Sequence, residues 1–269
     1  MLTNLALAAF AAFAGPSAFA PTIAPAAPTD EASRPALPDA ASAVSFETKD
    51  SQLLAGSYYE PKRRRGSAPA PAALLLHDAG ENRTELEELA AYLHKKGFAV
   101  LTVDLRGHGG SATDDFDFEG ADDKGRATLW GLATRDVDAS ANFLLDQEGV
   151  HATNLSIFGV GAGSALAVRR ASEDENVRAV VLVEPPAEAF GYSLANGLAD
   201  LGGLPTLILS PKDERSIAES LQAAAHDANG GLEYVEVNAL KSGPGESLSD
   251  KRLKSAAAAW LRDQVMPRK

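Results

Sequence analysis

The stretch that decides the fold is L-S-I-F-G-V-G-A-G-S-A-L-A, residues 155–167. Leu155, Ile157 and Phe158 make an apolar, strand-favouring run, which Gly159, Gly161 and Gly163 interrupt before Ala165, Leu166 and Ala167 resume with helical character. The pattern reads as a strand, a sharp turn and a helix. Gly159 and Gly163 remove the Cβ where helix and strand must approach closely, and Gly161 stands at the apex of the turn.

Outward from this unit the punctuation alternates in the same manner. Upstream, 44–48 and 53–59 read as two strands joined by Lys49-Asp50-Ser51-Gln52, a turn with Asp and Ser chemistry. The run 72–77, apolar up to its closing His77, suits a strand buried on both faces. In 84–96, Leu86, Leu89, Ala90 and Leu93 fall at helical spacing, with Thr84 and Glu87 placed for a capping box. Further strands are expected at 99–105, 155–158, 177–183, 206–209 and 232–237, and helices at 134–148, 162–172, 216–228 and 250–263. This order predicts an α/β fold: a doubly wound, mostly parallel sheet of about eight strands led by an antiparallel hairpin.

Composition bounds the function. The chain has 269 residues, enough for one sizeable core, and 37 acidic against 25 basic residues give a formal charge of −12. That charge repels phosphate backbones and anionic headgroups, so no nucleic-acid partner is expected. The basic run Lys62, Arg63, Arg64 and Arg65 reads as a solvated turn. Zero cysteines exclude disulfides, thiolate catalysis and cysteine-ligated zinc. No compact His/Asp/Glu spacing argues for a metal, and no cofactor is expected.

The amino terminus carries the localisation signal. Residues 5–14 form a short Ala/Leu/Phe run, followed by Gly15-Pro16 and by Ala18-Phe19-Ala20, a small-x-small cleavage pattern. Residues 1–20 therefore read as a signal peptide, with Ala14 as an alternative cleavage position and an uncleaved tail as the alternative reading. The run is too short to span a bilayer, so no stable membrane span is expected. Residues 21–41 are Ala/Pro-rich and read as an extended linker, leaving 42–269 as the folded domain. The expected location is secreted, periplasmic or at the cell envelope.

Three motifs in fixed order carry a resemblance. L-L-L-H-D-A-G-E-N-R at 74–83 resembles the H-G-x-G oxyanion loop after a third strand. L-T-V-D-L-R-G-H-G-G-S at 101–111 resembles the D-x-R-G-H-G-x-S turn after a fourth. G-V-G-A-G at 159–163 resembles the G-x-S-x-G nucleophile elbow after a fifth. On these motifs the chain resembles the α/β-hydrolase superfamily over 44–261, especially its lid-poor dienelactone hydrolases, serine aminopeptidase-like esterases and acyl-thioester hydrolases. The resemblance implies little or no lid and a triad in the order nucleophile, acid, histidine.

Mapped residue by residue, the resemblance implies a loss. Gly161 stands where the nucleophilic serine would be, and Pro244, within N-A-L-K-S-G-P-G-E-S-L at 238–248, stands where the histidine would be. Asp213 matches the acid. Glycine has no hydroxyl and proline no titratable group, so neither can perform the step assigned to its position. The oxyanion donors are implied to be backbone N–H groups of Ala162 and of Asp78 or Ala79. Asp78 replaces the usual glycine and sets a negative side chain against oxyanion binding unless it turns away.

Other candidates are weaker. Ser164 lies about one helical turn beyond Gly161 and reads as a packing residue. Glu184, at the carboxyl end of the 177–183 strand, could hold a cation or polar ligand, because open α/β sheets bind ligands beyond those ends; its alternative is a solvated strand end. Ser210 and Glu246 are lesser candidates of the same kind. His77 and His108 belong to loop motifs, and His94, His151 and His226 read as helix-face or loop-edge residues. The expectation is a non-catalytic, ligand- or partner-binding hydrolase fold. An active ester, thioester or peptide-like hydrolase with a non-standard nucleophile is the alternative, and a structural envelope protein the second alternative.

Overall fold

The computed structural model describes residues 40–62, 66–212, 215–230, 235–240, 248 and 250–266. The signal-peptide reading and nearly all of the 21–41 linker lie outside these residues. Ten strands and seven helices are described. The strands are β1 (Ser42–Glu47), β2 (Leu53–Tyr59), β3 (Ala70–Leu76), β4 (Ala99–Val103), β5 (Val150–Val160), β6 (Val177–Val183), β7 (Glu188–Ala189), β8 (Tyr192–Ser193), β9 (Thr206–Pro211) and β10 (Val235–Leu240). The helices are α1 (Glu87–Lys95), α2 (Asp123–Leu132), α3 (Thr134–Leu145), α4 (Gly163–Glu173), α5 (Leu194–Ala199), α6 (Arg215–Ala228) and α7 (Lys251–Val265).

One 8-stranded sheet runs in the order β1-β2-β4-β3-β5-β6-β9-β10. β1, β2 and β4 pair antiparallel, and every pairing from β4 through β3 to β10 is parallel. The doubly wound fold with its leading hairpin is thus present. Alternation along each central strand builds two cores. Leu74 and Leu76 of β3 and Val180 and Leu182 of β6 face α3 to α6, whereas Ala73, Leu75, Val181 and Val183 face α1 and α7. Burial on both faces explains why residues 72–76 of β3 and 179–183 of β6 read as apolar runs.

Several local expectations are corrected. The Thr84/Glu87 capping box does not form. Asn82 caps instead, its Oδ1 accepting from Thr84 N (3.0 Å) and Thr84 Oγ1 (2.6 Å) at a short 3-10 turn, Arg83–Leu86. Glu87 turns inward, accepting from Ser57 Oγ at 2.7 Å and from the Tyr59 hydroxyl. β5 begins at Val150, well before Leu155, with a register shift between Ala70 and Ala72 that absorbs residues 151–154. The sequence reading also missed α2, the β7-β8 hairpin and α5. The hairpin and α5 are the short insertion between β6 and β9.

Candidate functional site

The fold brings the 77–83 loop, the 104–111 turn and the 159–163 turn together at the carboxyl ends of β3, β4 and β5. Close packing sets the last of these. A Cβ on Gly159 would lie 2.5 Å from Ser164 Cα, and one on Gly163 would lie 2.5 Å from His77 O. Gly161 has φ +49°, in the left-handed region, and its N–H donates to Val183 O at 2.9 Å. The turn is tied to β6 and pressed against the loop that carries Asp78.

Asp78 turns into this junction. Its Oδ1 accepts from Ala79 N at 2.7 Å and from Ala162 N at 2.7 Å. Two of the N–H groups named above as oxyanion donors therefore converge on one internal carboxylate oxygen. The third, Asp78 N–H, donates elsewhere, to Glu85 Oε1 at 3.0 Å. The space beside Gly161 is taken as well, because a Cβ there would collide with the Asp78 carboxyl group. Asp78 does not turn away from the donors; it holds both of them.

The surrounding groups fix the Asp78 loop. His77 is fully buried, its Nδ1 2.6 Å from Asp78 O, and its Nε2 accepts Leu105 N–H at 3.0 Å. Because Leu105 can only donate, Nδ1 carries the proton and the ring is neutral; burial pushes its pKa down to about 3. His108 repeats the arrangement. Its Nε2 accepts Gly80 N–H at 3.2 Å and its Nδ1 donates to Arg106 O at 3.0 Å, with the rings 4.8 Å apart and burial again lowering the pKa. Both histidines bind loops and neither is free to take a substrate proton. Glu85 is pushed up to about 7, chiefly by burial, with the charges of Glu81 and Asp78 adding to the rise against the Asp78 N–H bond.

Charged residues clamp the second turn. Arg106 is buried and pairs with Asp136 (Nη2 to Oδ1, 2.6 Å) and with Asp50 (Nη1 to Oδ2, 2.9 Å). Its guanidinium holds the Asp50 carboxyl well below the usual carboxylate range. Asp104 accepts from Arg83 N (2.8 Å) and Gly110 N (2.7 Å) and pairs with the Arg83 guanidinium.

The remaining candidates are placed as follows. Ser164 is fully buried and its Oγ donates to Gly159 O at 3.1 Å, so the hydroxyl is spent within the helix start. Glu184 follows β6 directly, with φ +51°, its N–H donating to Leu209 O at 2.8 Å. Ser210 is buried at the end of β9. His94 is buried with Nε2 2.8 Å from Glu60 O, while His151 and His226 are exposed. Asp213, Pro244 and Glu246 lie outside the described residues. Among the described residues there is no group of His, Asp and Glu fit to hold a metal ion, and no helix long and apolar enough to cross a membrane.

A cleft that the sequence reading missed adjoins the plugged turn. It measures about 340 Å³ and is lined by Ala79, Phe118, Asp123, Arg126 and Phe190. Phe118 and Phe190 meet edge to face (6.0 Å, 84°), and Phe190 lies 5.2 Å from Trp130. The available signal was the aromatic spacing in F-D-F-E-G at 116–120 and A-F-G-Y at 189–192, which only matters once α2 and the hairpin are recognised.

The family profile described as Serine aminopeptidase, S33, matches residues 67–227. An uncharacterized protein of Mycobacterium tuberculosis, Rv2307c in strain H37Rv and MT2364 in strain CDC 1551, is 32% identical over 161 residues, which is 60% of this chain and 48% of that protein. The chain thus spans about half the length of the curated relatives it matches. Among solved structures, the Pyrococcus furiosus esterase Pf2001 superposes with a TM-score of 0.64 at 17% identity, covering 84% of this chain and 91% of that one. A dienelactone hydrolase from Anabaena variabilis gives 0.59 at 18% identity, covering 84% and 98%. The hypothetical protein PA2218 of Pseudomonas aeruginosa gives 0.65 at 14%, covering 85% and 95%. At these identities the likeness is one of fold. On the profile match and the three ordered turns, the chain belongs to the serine aminopeptidase S33 family of the α/β-hydrolase superfamily.

Proposed function

We propose that this protein is a non-catalytic member of its family that binds a small ligand or a partner without hydrolysing it. One observation carries the reading: Asp78 Oδ1 accepts from both Ala79 N–H and Ala162 N–H beside Gly161. Ester and amide hydrolysis by this fold needs those two donors free for the oxygen that becomes negative in the transition state. A carboxylate already bonded to them removes that stabilisation, and it fills the volume a serine at position 161 would use. Ser164, bonded to Gly159 O, offers no replacement hydroxyl. A secreted or envelope location is part of the same proposal, supported by the apolar run and small-x-small pattern of residues 5–20.

The test is incubation of the full chain with a fluorophosphonate probe and a panel of short-chain esters and thioesters. The expected result is neither labelling nor turnover. Labelling of one defined serine, with turnover lost on its replacement by alanine, would overturn the proposal in favour of an active hydrolase.

A further inference from the structure

We propose that the cleft beside Asp78 binds a small organic cation with an apolar body, an amine or a quaternary ammonium; the inference rests on the non-catalytic reading above and names its ligand class. In a working hydrolase the inner end of this region presents two N–H groups, so it favours negative oxygen. Here those groups are held by Asp78, whose half-buried carboxylate stands behind Ala79 of the lining, so the two donors no longer favour a negative oxygen and a negative charge backs that wall. Ala79 links the two features directly, since its N–H holds Asp78 while the residue lines the cleft.

The walls agree with a cation. Phe118 and Phe190 supply aromatic surface, and Asp123 is the carboxylate of the lining itself. Arg126 already places a guanidinium 5.5 Å from the Phe118 ring centre, so this aromatic surface accepts positive charge within the protein itself. That guanidinium is anchored, Nε to Phe118 O at 3.1 Å and Nη2 to Glu119 O at 3.0 Å, and is to that extent diverted from pairing with an incoming anion. Phe190 occupies the hairpin tip with φ +48° and 40% exposure, in a conformation bulky residues avoid. The tip thereby holds an aromatic ring at the cleft, against Trp130. At about 340 Å³ the space suits a ligand of roughly one ring with a short chain.

The experiment is isothermal titration of the full chain with phenethylamine and benzyltrimethylammonium, against phenylacetate and phenethyl alcohol as anionic and neutral controls of similar shape. The cations are expected to bind and phenylacetate to fail. Asp78→Asn retains an oxygen for Ala79 N–H and Ala162 N–H but loses the charge, and is expected to weaken cation binding by about tenfold or more. Phe190→Ala, away from the buried turn, is expected to weaken it by roughly tenfold. The inference is overturned if phenylacetate binds as tightly as the cations, if no probe binds, or if cation affinity survives both substitutions. Should Asp78→Asn fail to fold, the Phe190→Ala result decides. Fluorophosphonate labelling reports on the non-catalytic reading separately: no labelling and no cation binding would sink this inference alone.

Discussion

Oδ1 of Asp78 stands 2.7 Å from the backbone nitrogen of Ala162, the residue that follows Gly161. The carboxylate and the glycine are sterically matched, because the space a side chain at 161 would enter is the space the carboxyl group occupies. The glycine apex and the acidic residue in the oxyanion loop are therefore one coupled arrangement, and each makes the other tolerable.

Gly161→Ser alone is expected to destabilise the protein. The new side chain must expel the Asp78 carboxyl from two charge-assisted hydrogen bonds and adopt φ near +49°, together costing about 2–4 kcal/mol. Adding Asp78→Gly is expected to recover much of that loss by removing the collision. Urea midpoints of the single and double variants check this; an unchanged midpoint for Gly161→Ser would disprove the steric match.

On the proposed non-catalytic reading, hydrolysis would need the donors free as well as a triad. Gly161→Ser with Pro244→His is expected to stay unreactive toward fluorophosphonate, since Asp78 still holds Ala79 N–H and Ala162 N–H. With Asp78→Gly added, the new serine is expected to become labelled, with Asp213 supplying the acid. Equal labelling of both variants would show that Asp78 does not block the site.

Glu85 gives the alkaline side of the pH dependence. Its folded pKa, raised to about 7 chiefly by burial, lies above the unfolded carboxylate value, so the folded state holds this proton longer. Stability is unaffected below the unfolded value, falls as pH rises between the two, and carries the full penalty above about 7. Glu85→Gln, which can still accept Asp78 N–H, is expected to exceed the parent by roughly 1–2 kcal/mol near pH 8, a figure reduced for solvent screening. The gain should vanish near pH 4. Denaturation midpoints across that range decide it.

His77 works in the opposite direction. Its folded pKa of about 3 lies below the unfolded value, so the neutral ring's contribution is complete above about pH 6.5 and is lost as pH falls. Nitrogen NMR of the His77 ring should show one fixed neutral tautomer near pH 5, protonated at Nδ1. A protonated ring there, in the folded protein, would contradict the Leu105 N–H to Nε2 bond.

The legible parts of this fold are those where local and global demands coincide. β3, β4 and β6 are buried on both faces, so their apolar runs stand out in the sequence. α2 escaped notice because Asp123, Lys124 and Gly125 open a helix whose inward face amounts to little more than Leu129 and Trp130. The β7-β8 hairpin escaped because its tip places Phe190 where turn chemistry favours Asn, Asp or Gly. The Glu87 cap failed for a tertiary reason: Ser57 and Tyr59 of β2 offer it stronger partners than its own helix start.

By itself the sequence determined the layered α/β architecture, the turn at Gly161 and the absence of a hydroxyl there, because these depend on spacing, burial pattern and residue chemistry along the chain. Only the tertiary structure decided where the Asp78 side chain goes. From sequence, that carboxylate could equally face solvent or the turn. Its direction follows from packing of the loop after β3 against the turn after β5, 84 residues apart in the chain, where two N–H groups converge on one oxygen and Gly161 leaves the room.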